Sequence, residues 1–387
     1  MVVVGTSIVT LSAAALTEVT DFGPNPTNLK MFLYVPDAIV ANPRVLVGVH
    51  WCHGTAQAYY AANTFKYYAD QNKYIVIYPN ANSDDSCFDV HSQETLTHDA
   101  GGDALGIASM VRYVIDTYNA DPGGIYAHGV SSGAMMCNVL AGSYPDLFSA
   151  MSAASGVPFG CFAGGTDSWN EECATGQVIK TAEEWANIVR EAYPGYTGPR
   201  PRMQLWHGDQ DDVLNFVNFE GEILQWTTVL GVGPDPDTTE ENTPRATYTR
   251  MRYLDDNGTV MVEAIKGAGQ THNITTLDKE ILRFLGLDQP PAGTRTPAVH
   301  RGNPGTALSV SQSPQGTRLS VSTRPGTIGA VLYALDGTKI ALVPERYCPD
   351  GRLESVLASG ITARSIGIVA VTVNGVSTVR QCCLTGR

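Results

Sequence analysis

Within "YAHGVSSGAMM" (126–136) lies Gly129-Val130-Ser131-Ser132-Gly133, a serine with a glycine two residues to either side. A strand-like "GIYAH" precedes it and an apolar, helix-like "GAMMCNVLAGSYP" follows. A sharp strand-to-helix turn needs residues without side chains beside it, and the following helix aims its free amides at any negative charge that develops there. The pentapeptide alone fits both the nucleophile of an acyl transfer and an inert small-residue turn; the acid and base downstream, in the right order and place, decide for Ser131 as the nucleophile.

Such a serine needs a base, and the base needs an acid to orient it, in the order serine, acid, histidine at the ends of successive strands. "MQLWHGDQDDVL" ends a strand and offers Asp209, Asp211 and Asp212; "VEAIKGAGQTHNI" ends another and offers His272. The other histidines after Ser131 are His300, in a linker, and His207, inside a strand end where it is expected to pack locally. Elimination leaves His272 as the base. The amide of Ser132 supplies one oxyanion donor, and the loop "VGVHWCHGTAQAYY" is placed to supply the other. His50, Cys52 and His53 lack a matching carboxylate or second cysteine cluster, so no metal is expected, and acyl transfer by this route needs no cofactor. "DAGGDALG" lacks phosphate-loop spacing and reads as the start of a helix at Asp103.

These residues need a scaffold, and residues 29–285 provide its pattern. "LKMFLYVP", "RVLVGVH", "YIVIYPN", "GIYAHGV", "RMQLWHG" and "VMVEAIKG" are short, apolar and rich in β-branched residues. Helical patterns lie between them: 103–118 with Leu105, Ala108, Val111 and Ile115 on one face, 181–192 opening on a Thr181/Glu184 capping box, and 277–285. Near-continuous apolar strands alternating with helices predict an α/β fold with a mostly parallel sheet covered on both faces. At "GLDQPPAGTRTPAVHRGNPGTA" (286–307) the character changes to that of a linker. Beyond it, period-two patterning with Asp336-Gly337 and Asn374-Gly375 turns predicts a small all-β, sandwich-like domain over 308–387.

Acidic residues outnumber basic ones 38 to 25, a net charge of −13 that repels phosphate backbones and argues against nucleic acid as a partner. No apolar run is long enough to span a bilayer. Residues 1–16 read as the remnant of a signal peptide, lacking its basic region, or as an edge strand. The eight cysteines form no CxxC pair; Cys87 and the Cys161/Cys173 couple sit in turn-rich loops suited to disulfides in an oxidising compartment, whereas Cys137 lies in an apolar run and reads as buried.

"TDFGPNPTNLKMFLYVP", "HWCHGTAQAYY", "LTHDAGGDALGIASMV", "YNADPGGIYAHGVSSGAMM" and "YPDLFSAMSAASGVPFGCF" together resemble the carbohydrate esterase family 1 acetylxylan and feruloyl esterases, in the polyhydroxybutyrate depolymerase group of α/β-hydrolases. The resemblance covers about 17–285, within an esterase domain of 17–286 followed by a linker over 287–307. It implies Ser131 as nucleophile, the Cys52–His53 backbone as part of the oxyanion hole, and Asp211, through an HG-x-x-D pattern, as the acid. It further implies Cys52–Cys87 and Cys161–Cys173 disulfides. Where many fungal members carry G-x-G-H at the base, Gly267-Ala268-Gly269 is followed here by Gln270, with the histidine two residues later.

The implied function is a secreted esterase acting on plant cell-wall polysaccharide, acetylated xylan first. Feruloylated xylan or a hydroxybutyrate-type polyester is the alternative, and a non-catalytic polysaccharide-binding protein the third reading. Trp51, Tyr59, Tyr60 and Trp206 are the candidates to stack on sugar rings. Asn257 and Asn273 head glycosylation sequons, the latter beside His272. The C-terminal segment faintly resembles attachment domains of secreted proteins, which implies cell-surface attachment, and Cys348 is expected to pair with Cys382 or Cys383.

Overall fold

Val45–Val49 and Ala150–Ala154 are buried at every position and Ile75–Asn80 at all but the last, as strands covered on both faces must be. The structure, a computed structural model, describes residues 14–164 and 168–290, together with the backbone of seven strands between 307 and 381. The chain divides into two units, 1–291 and 292–387.

In the first unit the strands are β1 (Thr17–Val19), β2 (Lys30–Tyr34), β3 (Val45–Val49), β4 (Ile75–Asn80), β5 (Ile125–Val130), β6 (Ala150–Ala154), β7 (Arg202–Gly208), β8 (Thr238–Glu241), β9 (Tyr248–Leu254) and β10 (Val260–Gly267). The helices are α1 (Ala56–Ala62), α2 (Phe65–Asn72), α3 (Gln93–Leu96), α4 (Gly102–Tyr118), α5 (Ser132–Ser143), α6 (Glu171–Ala174), α7 (Ala182–Glu191), α8 (Val217–Leu230) and α9 (Asp278–Leu285). The strands form one sheet in the order β1-β2-β4-β3-β5-β6-β7-β10-β9-β8. From β4 to β10 all neighbours are parallel, and the outer pairs on both sides are antiparallel.

Alternation along each strand sends side chains to two cores. Val45, Val47, Val49, Ile75 and Ile77 pack with Ile107 and Val111 of α4 and Met136 and Leu140 of α5. Leu46, Val76 and Tyr78 face the other way, onto Phe65 and Ala69 of α2 and Ile281, Leu282 and Leu285 of α9. All twelve residues of α5 are buried, which small and apolar side chains on every face permit. The Thr181/Glu184 capping box forms as read: Glu184 N–H donates to Thr181 Oγ1 (3.3 Å) and Thr181 N–H to Glu184 Oε2 (2.7 Å). Asp103 stands in the first turn of α4, where its Oδ2 accepts from the Asp89 amide at 2.8 Å and burial raises its pKa to about 6.

The strand order reverses between β3 and β5, since β4 lies outside β3 and β6 outside β5. Loops leaving the carboxyl ends of such strands diverge and open a crevice. Residues 50–54 follow β3, and Ser131 follows β5.

The second unit contains β11 (Ala307–Ser313), β12 (Gly316–Ser322), β13 (Gly326–Tyr333), β14 (Lys339–Cys348), β15 (Arg352–Val356), β16 (Ile368–Val373) and β17 (Val376–Gln381). They pair antiparallel into a three-stranded sheet, β11-β12-β15, and a four-stranded sheet, β14-β13-β16-β17. The turns Asp336-Gly337 and Asn374-Gly375 lie outside the described residues, as do residues 1–13, the linker from 291 to 306, and Cys382 and Cys383.

Candidate active site

The turn between β5 and α5 holds Ser131 at φ 55°, ψ −119°, a conformation that side-chain-bearing residues rarely adopt. Two close approaches keep it there. A Cβ on Gly129 would meet the carbonyl of Gly133, and one on Gly133 would meet the carbonyl of Val49. The Ser131 amide donates to the Ala154 carbonyl of β6 at 2.8 Å. Its side chain makes no capping bond to α5, so Oγ points away from the helix's own amides. Ser132 is buried, and its Oγ accepts from the Phe88 amide at 2.8 Å, tying the nucleophile's helix to the loop after β4.

His272 Nε2 lies 2.9 Å from Ser131 Oγ. Its Nδ1 lies 2.9 Å from Asp211 Oδ2 and 3.1 Å from Oδ1. Ser155 Oγ, just after β6, donates to the His272 carbonyl at 2.8 Å. The loop that departs from the G-x-G-H pattern is thereby pinned: the Gln270 carbonyl accepts from the Gln210 amide at 2.9 Å, and the Gly269 amide donates to Asp209 Oδ1 at 2.7 Å. Asp209 is thus spent on the loop and Asp212 is exposed, so of the three aspartates Asp211 alone faces His272.

The Asp211 carboxyl is shut off from solvent, and four donors converge on it. Oδ1 accepts from the amides of Val213 (2.9 Å) and Leu214 (2.8 Å); Oδ2 faces His272 and, at 3.0 Å, His207 Nε2. Burial alone would raise its pKa, but the hydrogen bonds from His207 and His272 outweigh it and hold the group well below the usual carboxylate range.

The loop after β3 is positioned by His50, whose Nε2 accepts from the Ala81 amide (3.1 Å) while Nδ1 donates to the Trp51 carbonyl (2.7 Å). Burial lowers its pKa, in keeping with a neutral ring of fixed tautomer. Disulfides Cys52–Cys87 and Cys161–Cys173 are both formed, and Cys137 is free and buried. Of the three amides expected at the oxyanion hole, that of His53 is donated to the Asp85 carbonyl at 2.8 Å. The amides of Cys52 and Ser132 are the other two expected there.

Ser131, Ser132, His272 and Cys52 open on one cavity of about 650 Å³. Trp51 and Tyr59 line it, Tyr59 through a ring that is 3% exposed and so forms a wall, not a stacking platform. Two aromatic expectations are corrected. Trp206 is completely buried on β7 against Tyr248, because β7 is covered on both faces. Tyr60 is absent from the cavity lining and packs edge-on against Tyr78, with Lys66 Nζ 4.1 Å from its ring centre. The sequence reading missed Trp169, which lines the cavity at 47% exposure; Phe162 meets its ring edge-on at 5.5 Å, and its Nε1 donates to Glu171 Oε2 at 2.8 Å. Its place between Cys161 and Cys173 was the available signal. Asn273 of the sequon also lines the cavity. Among the described residues, no group of three His, Cys, Asp or Glu is arranged to hold a metal, and no helix is long and apolar enough to cross a membrane.

The family model of the esterase PHB depolymerases matches residues 29–225. Acetylxylan esterase A of Aspergillus oryzae is 44% identical over 279 residues, 71% of this chain and 89% of that protein. Feruloyl esterase B of Talaromyces stipitatus is 44% identical over 282 residues, 72% of this chain and 77% of that one. The solved structure of an acetyl xylan esterase from Aspergillus awamori superposes with a TM-score of 0.68 at 41% identity, covering 70% of this chain and 99% of its own, so the sheet and its helices are those of an α/β-hydrolase. This chain belongs to the esterase PHB depolymerase family.

Proposed function

We propose that the chain is a secreted serine carboxylic-ester hydrolase that removes acetyl groups from acetylated xylan. The observation that carries this reading is the continuous hydrogen-bond chain Ser131–His272–Asp211 opening on the cavity. In this mechanism Ser131 Oγ attacks the ester carbonyl as its proton passes to His272 Nε2. Asp211, accepting from Nδ1, keeps the ring in the tautomer that leaves Nε2 free and stabilises the imidazolium that forms. The Cys52 and Ser132 amides bind the oxyanion, each such donor being worth about a hundredfold or more in rate. His272 then protonates the sugar oxygen as it departs, leaving as the alcohol; water, deprotonated by the same ring, attacks the acyl carbon, and His272 returns that proton to Ser131 Oγ as the acid is released.

The acetylxylan esterase names of close relatives support the substrate. Two disulfides support an oxidising, extracellular setting. Trp169, exposed and anchored at the cavity, offers a flat face to a sugar ring. A second reading, a bulkier hydroxycinnamoyl ester, is favoured by the cavity volume, which far exceeds an acetyl group. Among the described residues, those that line the cavity lie between 51 and 278.

The test is acetate release from acetylated xylan by the whole chain beside Ser131→Ala, with methyl ferulate and p-nitrophenyl acetate in parallel. Acetate release that falls by about 10⁴-fold or more in the variant is expected. Cleavage of the ferulate alone would move the substrate to the second reading. Equal inertness of both folded proteins on all three esters would overturn the esterase.

A further inference from the structure

His207, near the end of β7, is fully buried, with the rings of Phe216 and Phe219 about it at 6.0 Å and 5.9 Å between centres. Its Nε2 lies 2.9 Å from the Leu214 carbonyl and 3.0 Å from Asp211 Oδ2. A carbonyl and an ionised carboxylate can only accept, so Nε2 carries the proton and shares it between them. Nδ1 is buried and has no partner among the described residues. Leaving a buried polar atom unpaired costs free energy that an apolar ring of similar volume would avoid. The imidazole is therefore maintained for what Nε2 does.

We propose that His207 is a positioning residue for the acid of the triad, holding Asp211 Oδ2 in line with His272. The proposal rests on the functional reading above. Two backbone amides already fix Oδ1. Among the described residues Oδ2 has only side-chain donors: His272 Nδ1, on the ring that gains and loses charge as Nε2 takes and returns the serine proton, and His207 Nε2, on a ring that takes no part in that transfer. His207 thus supplies the one side-chain donor at Oδ2 that stands outside the reacting imidazole and can hold the carboxylate in line for it. It also ties the carboxylate to Leu214, whose amide and carbonyl both engage the same cluster.

The experiment compares His207→Leu with His207→Gln, whose amide nitrogen reaches the Nε2 position. Two readouts are taken: kcat and KM on p-nitrophenyl acetate, and the low-field proton resonance of the His272 Nδ1–H bonded to Asp211. The leucine variant is expected to lose about ten- to hundredfold in kcat, the value of one hydrogen bond to a charged group. KM should stay within about twofold, since no substrate contact is removed. The resonance should broaden or vanish in the leucine variant. Glutamine should recover most of kcat and the resonance.

Wild-type kcat and resonance in the leucine variant would overturn the proposal. So would equal loss in two folded variants, because packing of the ring and not its proton would then be what matters. If the leucine variant does not fold, the glutamine variant decides: recovery of both readouts supports the proposal, and loss of both overturns it. A wild-type chain inert on every ester would defeat the functional reading instead, and the resonance would still decide whether His207 orders the Asp211–His272 pair.

Discussion

Ser131 and Asp211 are fixed mostly by their neighbours in sequence, whereas His272 is fixed by groups far away along the chain. The elbow needs Gly129 and Gly133 within two residues of the serine, and one amide bond to Ala154 completes it. His272 depends on Ser155 and Asp211, and its loop on Asp209 and Gln210, across separations of more than fifty residues. The difference explains why the family's pattern is intact at the serine and shifted at the histidine. A close backbone approach tolerates no added atom, but a loop tied by hydrogen bonds from other strands can lengthen and still deliver its side chain.

The sharpest way to break the comparison is Asp211→Asn. The amide keeps the shape and the bonds from Val213 and Leu214 but favours the wrong His272 tautomer. On the order of a 10⁴-fold fall in kcat is expected, with near wild-type melting, as read by steady-state kinetics and calorimetry. Gly133→Ala attacks the elbow. Its methyl group must displace the Val49 backbone, so stability should fall by about 3 kcal/mol or more by denaturant titration. An alanine variant that melts like wild type would show the elbow to be more compliant than its geometry states.

Trp169→Ala tests the cavity rim, which belongs to neither side of the triad. Loss of one stacking face should raise KM for acetylated xylan by roughly three- to tenfold and leave kcat/KM for p-nitrophenyl acetate unchanged. An equal change on both substrates would assign Trp169 to the loop's folding instead.

The smallest effect on activity concerns the joint between the two regions. Glu222 of α8 accepts from Asn138 Nδ2 of α5 at 2.6 Å, linking the nucleophile's helix to the helix that follows the acid's loop. Burial raises its pKa from 4.5 to about 7, against the opposing pull of His207 and of the Asn138 bond. Between those two values the unfolded chain has released a proton that the folded chain keeps. Stability from this group is therefore full below pH 4.5 and lost as pH rises to 7. Glu222→Gln removes the titration, so its stability by denaturant titration should gain on wild type as pH rises from 4.5 to 7, by up to about 3 kcal/mol. A pH-independent difference would refute the raised value.

Much of the scaffold was legible. Six strands and the helices after Asp103, Thr181 and Leu277 follow from periodicity and turn residues, since their β-branched runs and caps act locally. Strand β6 did not announce itself. "AMSAA" has no β-branched residue, and it is a central strand because β5 and β7 enclose it. Trp206 was misjudged for a related reason, whereas His207 packs locally as read. A strand buried on both faces carries no alternation to tell which residue meets substrate, core or catalytic partner.

What the sequence determined by itself was the elbow, because a glycine requirement over five residues is a local steric condition. It also determined His272 as the base, because chain order after the nucleophile left few histidines. Spacing left three aspartates, of which the family resemblance singled out Asp211; only the tertiary structure showed that it faces His272, that the His53 amide is already bonded, and that Trp169 rather than Trp206 reaches the cavity. Each of those outcomes depends on hydrogen bonds and burial between segments distant in the chain, and the spacing of residues carries no record of such contacts.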